Sequence, residues 1–175
     1  DYGLKSEYWK HFDVNTYPDV LGYLKTNLKE LANYYHALYQ DKQHEKNKRE
    51  NFLEARRWYG EFLESFPKDA EAPAINYQLA DLLLENKSYG EAAAEYERTA
   101  YGYPAHEKAA AAGYAAVYAH RENLAQAGQS QRDGVRRDII RSSLKFAETF
   151  PQHEKAALVM GAALDLHMEV EVVET

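Results

Sequence analysis

The chain has 175 residues, enough for one ordinary domain with a sizeable core. Its 21 Lys+Arg against 28 Asp+Glu give a formal net charge of −7, and no basic run is present; this argues against nucleic acid as a partner, because phosphate binding needs clustered Lys and Arg. Absence of cysteine excludes disulfide frameworks and Cys-ligated zinc, and no stretch approaches the roughly 20 apolar residues of a membrane span, so no membrane insertion is expected.

Residues 1–24 read as an N-terminal capping segment. Tyr8, Trp9, Phe12, Val14 and Tyr17 crowd among polar neighbours, and Pro18 suits the first turn of a helix. The rival reading is an aromatic patch that binds protein. Asp1-Tyr2-Gly3-Leu4-Lys5 lacks the basic start and apolar stretch of a signal peptide, and both termini read as edges of a fragment.

Three helix pairs are predicted next, over 25–67, 72–104 and 109–151. The first carries Leu31, Ala32 and Tyr35, then Ala55 and Tyr59, and closes at Phe66-Pro67. A polar insertion from Gln40 to Asn51 interrupts it, as a loop or an overlong helix end. In the second, Leu79, Ala80 and Leu83 form one stripe at helical spacing, and Ala92, Tyr96 and Tyr103 form a facing one. Asn86, Lys87 and Ser88 make the turn between them. The third supplies Ala116, Val117 and His120, then Ile139, Ser143 and Pro151, with an insertion from Asn123 to Arg132. Residues 156–175 open like another first helix, with Leu158, Gly161, Ala163, Leu164, His167 and Met168. Glu169-Val170-Glu171-Val172-Val173 suits a helix poorly and reads as a frayed end.

The pairs repeat one another. An aromatic-proline dipeptide closes each, at Phe66-Pro67, Tyr103-Pro104 and Phe150-Pro151. Proline stops a helix because it has no amide hydrogen and pushes its predecessor toward extended backbone. Pro104-Ala-His-Glu-Lys-Ala-Ala110 is matched by Pro151-Gln-His-Glu-Lys-Ala-Ala157, and Phe62-Leu-Glu-Ser-Phe-Pro67 by Phe146-Ala-Glu-Thr-Phe-Pro151. Units of this kind bury their apolar faces against each other and their neighbours.

Leu79, Ala80, Leu83, Ala92, Tyr96 and Pro104 fall where the tetratricopeptide repeat has its small, large and closing residues, and the chain resembles that family over about residues 25–168. Asn76 and Thr99 depart from its pattern. The resemblance implies an all-α, antiparallel helix-pair solenoid of about three repeats plus an extra C-terminal helix. The short polar link after each aromatic-proline dipeptide resembles bacterial envelope members, such as the barrel-assembly lipoprotein of the outer membrane and the periplasmic Tol-associated coordinator. A periplasmic or outer-membrane-associated location is therefore expected, with the cytoplasm as the alternative.

Candidate chemistry is sparse. His106-Glu107 and His153-Glu154 each lack a second His four residues on, so no zinc-protease helix is present, and the Glu suits a helix first turn instead. His120 and His167 are predicted to face the core. No glycine-rich phosphate loop, nucleophile elbow or isolated carboxylate pair occurs; neither catalysis nor a cofactor or metal is expected. The resemblance puts the first helices on a concave face, with Ala74, Tyr77, Asp81 and Glu85 on one and Ala111, Tyr114, Tyr118, Arg121 and Glu122 on the next. Tyrosines with a polar tip anchor protein interfaces, though they also pack between helices. The expected function is a scaffold for a protein or peptide. Alternatives are a homo-oligomer formed through the terminal helix, and an accessory domain of a larger envelope enzyme.

Overall fold

The computed structural model describes Leu4, Glu7 and residues 16–173, with side chains through Met168. Regular structure among them is entirely helical: α1 (Pro18–Gln40), α2 (Lys48–Ser65), α3 (Ala72–Glu85), α4 (Tyr89–Tyr101), α5 (Ala109–Gln126), α6 (Arg132–Thr149) and α7 (Ala156–Val173). The chain divides into two compact units, residues 1–82 and 83–175, and the division falls inside α3.

In the first unit α1 opens on Pro18, seven residues before the pair was expected to begin at 25. Most of the expected cap lies outside the described residues; from it, the Leu4 amide donates to Ser65 Oγ at 3.0 Å, at the end of α2. Leu28, Ala32 and Tyr39 of α1 are buried, as are Phe52, Ala55, Tyr59, Phe62 and Leu63 of α2. The Tyr39 and Phe52 rings lie 5.9 Å apart, and the Tyr59 hydroxyl donates to Asn33 Oδ1 at 3.1 Å. Burying a side chain such as Leu28 contributes about 1.5–3 kcal/mol. Between the two helices the Gln40–Asn51 insertion is neither wholly loop nor wholly helix. Asp41 accepts the Gln43 amide at 2.9 Å and starts a 3-10 stretch, Lys42–Asn47, that leads into α2. Lys25 and Lys29 fasten α1 to the α2–α3 loop, with Lys25 Nζ 2.9 Å from Asp69 and Lys29 Nζ 2.7 Å from Glu71.

The second unit opens on the end of α3. Ser88 N–H donates to the Leu83 carbonyl and Lys87 N–H to the Leu84 carbonyl, both at 2.9 Å, with Lys87 at φ 60°. This pair of bonds satisfies the last carbonyls of α3 and reverses the chain into α4. Successive helices then pack, α4 on α5, α5 on α6 and α6 on α7. α5 buries Ala112, Gly113, Ala116 and Ala119, small residues that let the helices approach closely. Val117, Phe146, Ala147, Ala156 and Val159 form an apolar cluster, closed by Phe150 and Met160. The Asn123–Arg132 insertion is shared between the end of α5, a 3-10 turn at Gln129–Gln131 and the start of α6.

The sequence repeat has a geometric counterpart. Phe66 N–H donates to the Phe62 carbonyl and Phe150 N–H to the Phe146 carbonyl, each at 2.8 Å, with φ/ψ of −129°/55° and −124°/57°. The bonds Asp69 to Phe66 and Ala72 to Asp69 recur as His153 to Phe150 and Ala156 to His153. Asp–Arg or Glu–Arg pairs one turn apart recur too, as Glu54–Arg57 on α2 and Asp138–Arg141 on α6. Thus the joint between α2 and α3 recurs between α6 and α7.

Two expectations change. The segment expected to fray, 169–173, continues α7 to Val173. His167, expected in the core beside His120, is exposed, while His120 is buried.

Candidate partner-binding faces

Helical spacing decides which residues of α3 and α5 leave the core. On α3, Ile75, Asn76, Leu79, Ala80, Leu82 and Leu83 are buried, which turns Ala74 and Glu85 outward and leaves Tyr77 and Asp81 half-buried. Burial first, then the neighbouring Asp81 charge, raises the Tyr77 hydroxyl above the ordinary tyrosine range. Each of the expected α3 positions therefore lies outside the core.

On α5 the outward stripe is Ala111, Tyr114, Tyr118 and Arg121, with Glu122 half-buried beside it. Tyr118 is 49% exposed, and the charge of the nearby Glu122 carboxylate raises its hydroxyl above the ordinary tyrosine range. Tyr114, at 37% exposed, has a second task. Its ring stacks on His153 at 6.1 Å and leans on Phe146 at 6.0 Å. Tyr114 is thus half interface candidate and half packing residue, while Tyr118 and Arg121 belong to the surface.

The histidine-glutamate blocks are joints. His106 Nε2 donates to the Thr99 carbonyl at 2.8 Å and ties the α4–α5 loop to α4. His153 Nδ1 accepts the Lys155 amide at 3.2 Å at the start of α7. Among the described residues, no group of three or more His, Asp or Glu is placed to hold a metal ion, and no helix is long and apolar enough to cross a membrane.

Two features were missed in the sequence. The first is a buried polar knot: His120 Nε2 on α5 donates to Glu97 Oε1 on α4 at 3.2 Å, and Ser142 on α6 lies close to the same carboxylate. The His120 bond is the main cause holding Glu97 below its usual range, against burial, with help from Ser142 and Arg141. Burial, then the Glu97 charge, pushes the nearby Tyr101 hydroxyl up to about 12. The second is a groove of about 570 Å³ in the first unit, lined by Leu24, Asn27, Leu28, Glu30, Leu31 and Tyr34 of α1 and by Trp58 of α2. Its signal was legible: positions 20, 24, 27, 31 and 34 form a second stripe one residue away from the buried one.

Comparison with protein-family models, curated proteins and solved structures finds no match for this chain.

Proposed function

We propose that the protein is a non-catalytic scaffold of the tetratricopeptide-repeat type, which binds a protein or peptide through the outward stripes of its first helices. The observation that carries this reading is α5, where Tyr118 and Arg121 stand exposed beside Glu122 while Ala112, Gly113, Ala116 and Ala119 behind them are buried. An exposed tyrosine with an adjacent cation and anion offers apolar area and directional bonds at low entropic cost. Ala74, Tyr77, Asp81 and Glu85 give α3 a similar, more acidic stripe. The envelope setting follows from the resemblance alone, and cell fractionation tests it.

The test is capture from envelope and cytosolic extracts by the parent chain and by a Tyr77→Ala/Tyr118→Ala/Arg121→Glu variant shown by circular dichroism to be folded. A partner held by the parent and lost by the variant supports the reading; equal capture by both refutes it. A second reading, self-association through α7, draws on the exposure of Leu158, Leu164 and Met168 along that helix. A mass that rises with protein concentration, and does not rise in Leu164→Glu, supports it.

A further inference from the structure

The joint that recurs in the two units is closed by different chemistry. Between α2 and α3, Asp69 Oδ1 accepts the amide of the residue two further on, Glu71, at 2.8 Å. Between α6 and α7, at the same place after the aromatic-proline dipeptide, His153 Nδ1 accepts the amide of Lys155 at 3.2 Å. The flanking backbone bonds match, Asp69 to Phe66 and Ala72 to Asp69 against His153 to Phe150 and Ala156 to His153. Each side chain thus satisfies an amide ahead of the following helix, one with a carboxylate oxygen and the other with an imidazole lone pair. The two acceptors respond differently to acid. An ionised carboxylate goes on accepting down to about pH 4, whereas an imidazolium donates at both nitrogens and accepts nothing.

The surroundings of His153 do not offset that loss. From α5, Tyr114 stacks on the imidazole at 6.1 Å, and from α6, Phe146 meets it edge-on at 5.1 Å. On the joint itself, Glu154 and Lys155 pair with each other at 3.6 Å. Among the described residues no carboxylate stands within ion-pair distance of this imidazole, whereas His120 has Glu97 and His44 has Asp41. The positive end of the α7 dipole also opposes a cation there. His106, in the matching block before α5, uses Nε2 as a donor to the Thr99 carbonyl, a bond that survives protonation.

We propose that the α6–α7 joint is an acid-sensitive latch with His153 as its titrating part. Neutral His153 caps α7 and holds the Tyr114 ring. Once protonated, its Nδ1–H faces the Lys155 N–H; the imidazole turns away, the first turn of α7 loosens, and Tyr114 loses its stack. The cap is therefore present at higher pH and lost as pH falls. The latch rests on the geometry of the joint alone. Its consequence for a partner, weaker binding in acid by the Tyr114–Tyr118 stripe of α5, rests on the scaffold reading.

The test is heteronuclear NMR of the full chain between about pH 8 and 5, the span in which imidazoles as a class change charge. The Lys155 N–H and the Tyr114 ring are expected to follow the His153 ring along one titration curve. In acid the Lys155 amide should exchange about fivefold faster than in His153→Asn, the loss of one capping bond. His153→Asn supplies a neutral oxygen acceptor, and His153→Asp copies the cap of the first unit. In both, the two reporters should stay flat while the steps of the other histidines remain. A Lys155 resonance that stays flat in the parent overturns the latch, and that result needs no variant to fold. A step of full size in His153→Asn or His153→Asp assigns the titration to another group and overturns it equally. A joint that titrates as expected, with partner capture by the α5 stripe unchanged by pH, supports the latch and overturns its link to binding.

Discussion

The same substitution at two helical glycines should have opposite effects. Replacing glycine by alanine inside a helix gains about 1 kcal/mol from backbone entropy and propensity. At Gly161 on α7 an added Cβ meets nothing within 4 Å, so Gly161→Ala should keep the whole gain. At Gly113 on α5 the Cβ meets Phe146 Cδ2 at 3.0 Å, Phe150 Cε2 at 3.1 Å and Tyr101 Oη at 3.1 Å. These neighbours cannot all yield, since Phe146 is fully buried and wedged against Phe150 at 5.7 Å and His153 at 5.1 Å. Overpacking of a tight core costs about 1–3 kcal/mol, which outweighs the gain. Gly113→Ala is thus expected to lose about 1 kcal/mol net, and Gly161→Ala to gain about 1 kcal/mol. Urea unfolding followed by circular dichroism measures both. A Gly113→Ala chain more stable than the parent would show that the α4–α5–α6 core is looser than these distances state, and would refute the reasoning.

Lys87→Gly should stabilise the second unit by about 0.5–1 kcal/mol, the relief of a left-handed backbone partly offset by added freedom in the unfolded chain; a lower thermal midpoint would contradict it. Glu97→Ala should cost about 2 kcal/mol, because His120 is left buried without its acceptor, whereas Glu97→Gln, which keeps an acceptor, should cost less. Equal losses would show that charge alone matters. The Lys25–Asp69–Glu71–Lys29 cluster gives a pH signature in the first unit. Asp69 is lowered because the Glu71 amide and Lys25 outweigh the opposing, larger single effect of burial, and Glu71 is lowered by Lys29 and then Lys25. Both folded values lie below the unfolded ones, so their stabilisation is present above the ordinary carboxylate range and is lost as pH falls through the folded values. Lys25 is raised, chiefly by Asp69, so its share is lost only as pH climbs past about 10.5. Urea midpoints between pH 6 and 2 should fall less steeply in Lys25→Ala/Lys29→Ala than in the parent, and parallel slopes would count against the cluster.

The joints were the most legible part of the fold, because proline is unambiguous: each aromatic-proline dipeptide falls just past a helix end. The helix pairs were legible from spacing, and the first helix was read late by the width of a cap that Pro18 already marked. The Glu169–Val173 helix was missed because β-branched residues cost only tenths of a kcal/mol each, and lengthening a helix is cheaper than starting one. His167 was misplaced because equivalence to His120 was judged on the histidine alone. A buried imidazole needs an acceptor, and Leu144 stands seven residues before Pro151 where Glu97 stands seven before Pro104. On the candidate faces, spacing placed all nine residues outside the core, but the sequence could not show that Tyr114 also packs on His153.

The two apolar surfaces left open differ in kind. Repeat proteins need a polar outer face where stacking stops, since bare apolar faces invite aggregation. On α7 the exposed Leu158, Leu164 and Met168 are joined by Gly161 and Asp165, with no unpartnered buried donor among the described residues of that helix. Such a face accepts any helix of suitable shape, including its own copy. On α1 and α2, apolar Leu31 and Tyr34 surround Trp58, whose indole hydrogen lacks an acceptor, with Arg57 above its ring. Ser142, at the same place in the second unit, lies close to the Glu97 carboxylate. The groove of the first unit thus offers a directional donor where the α7 face offers apolar area alone.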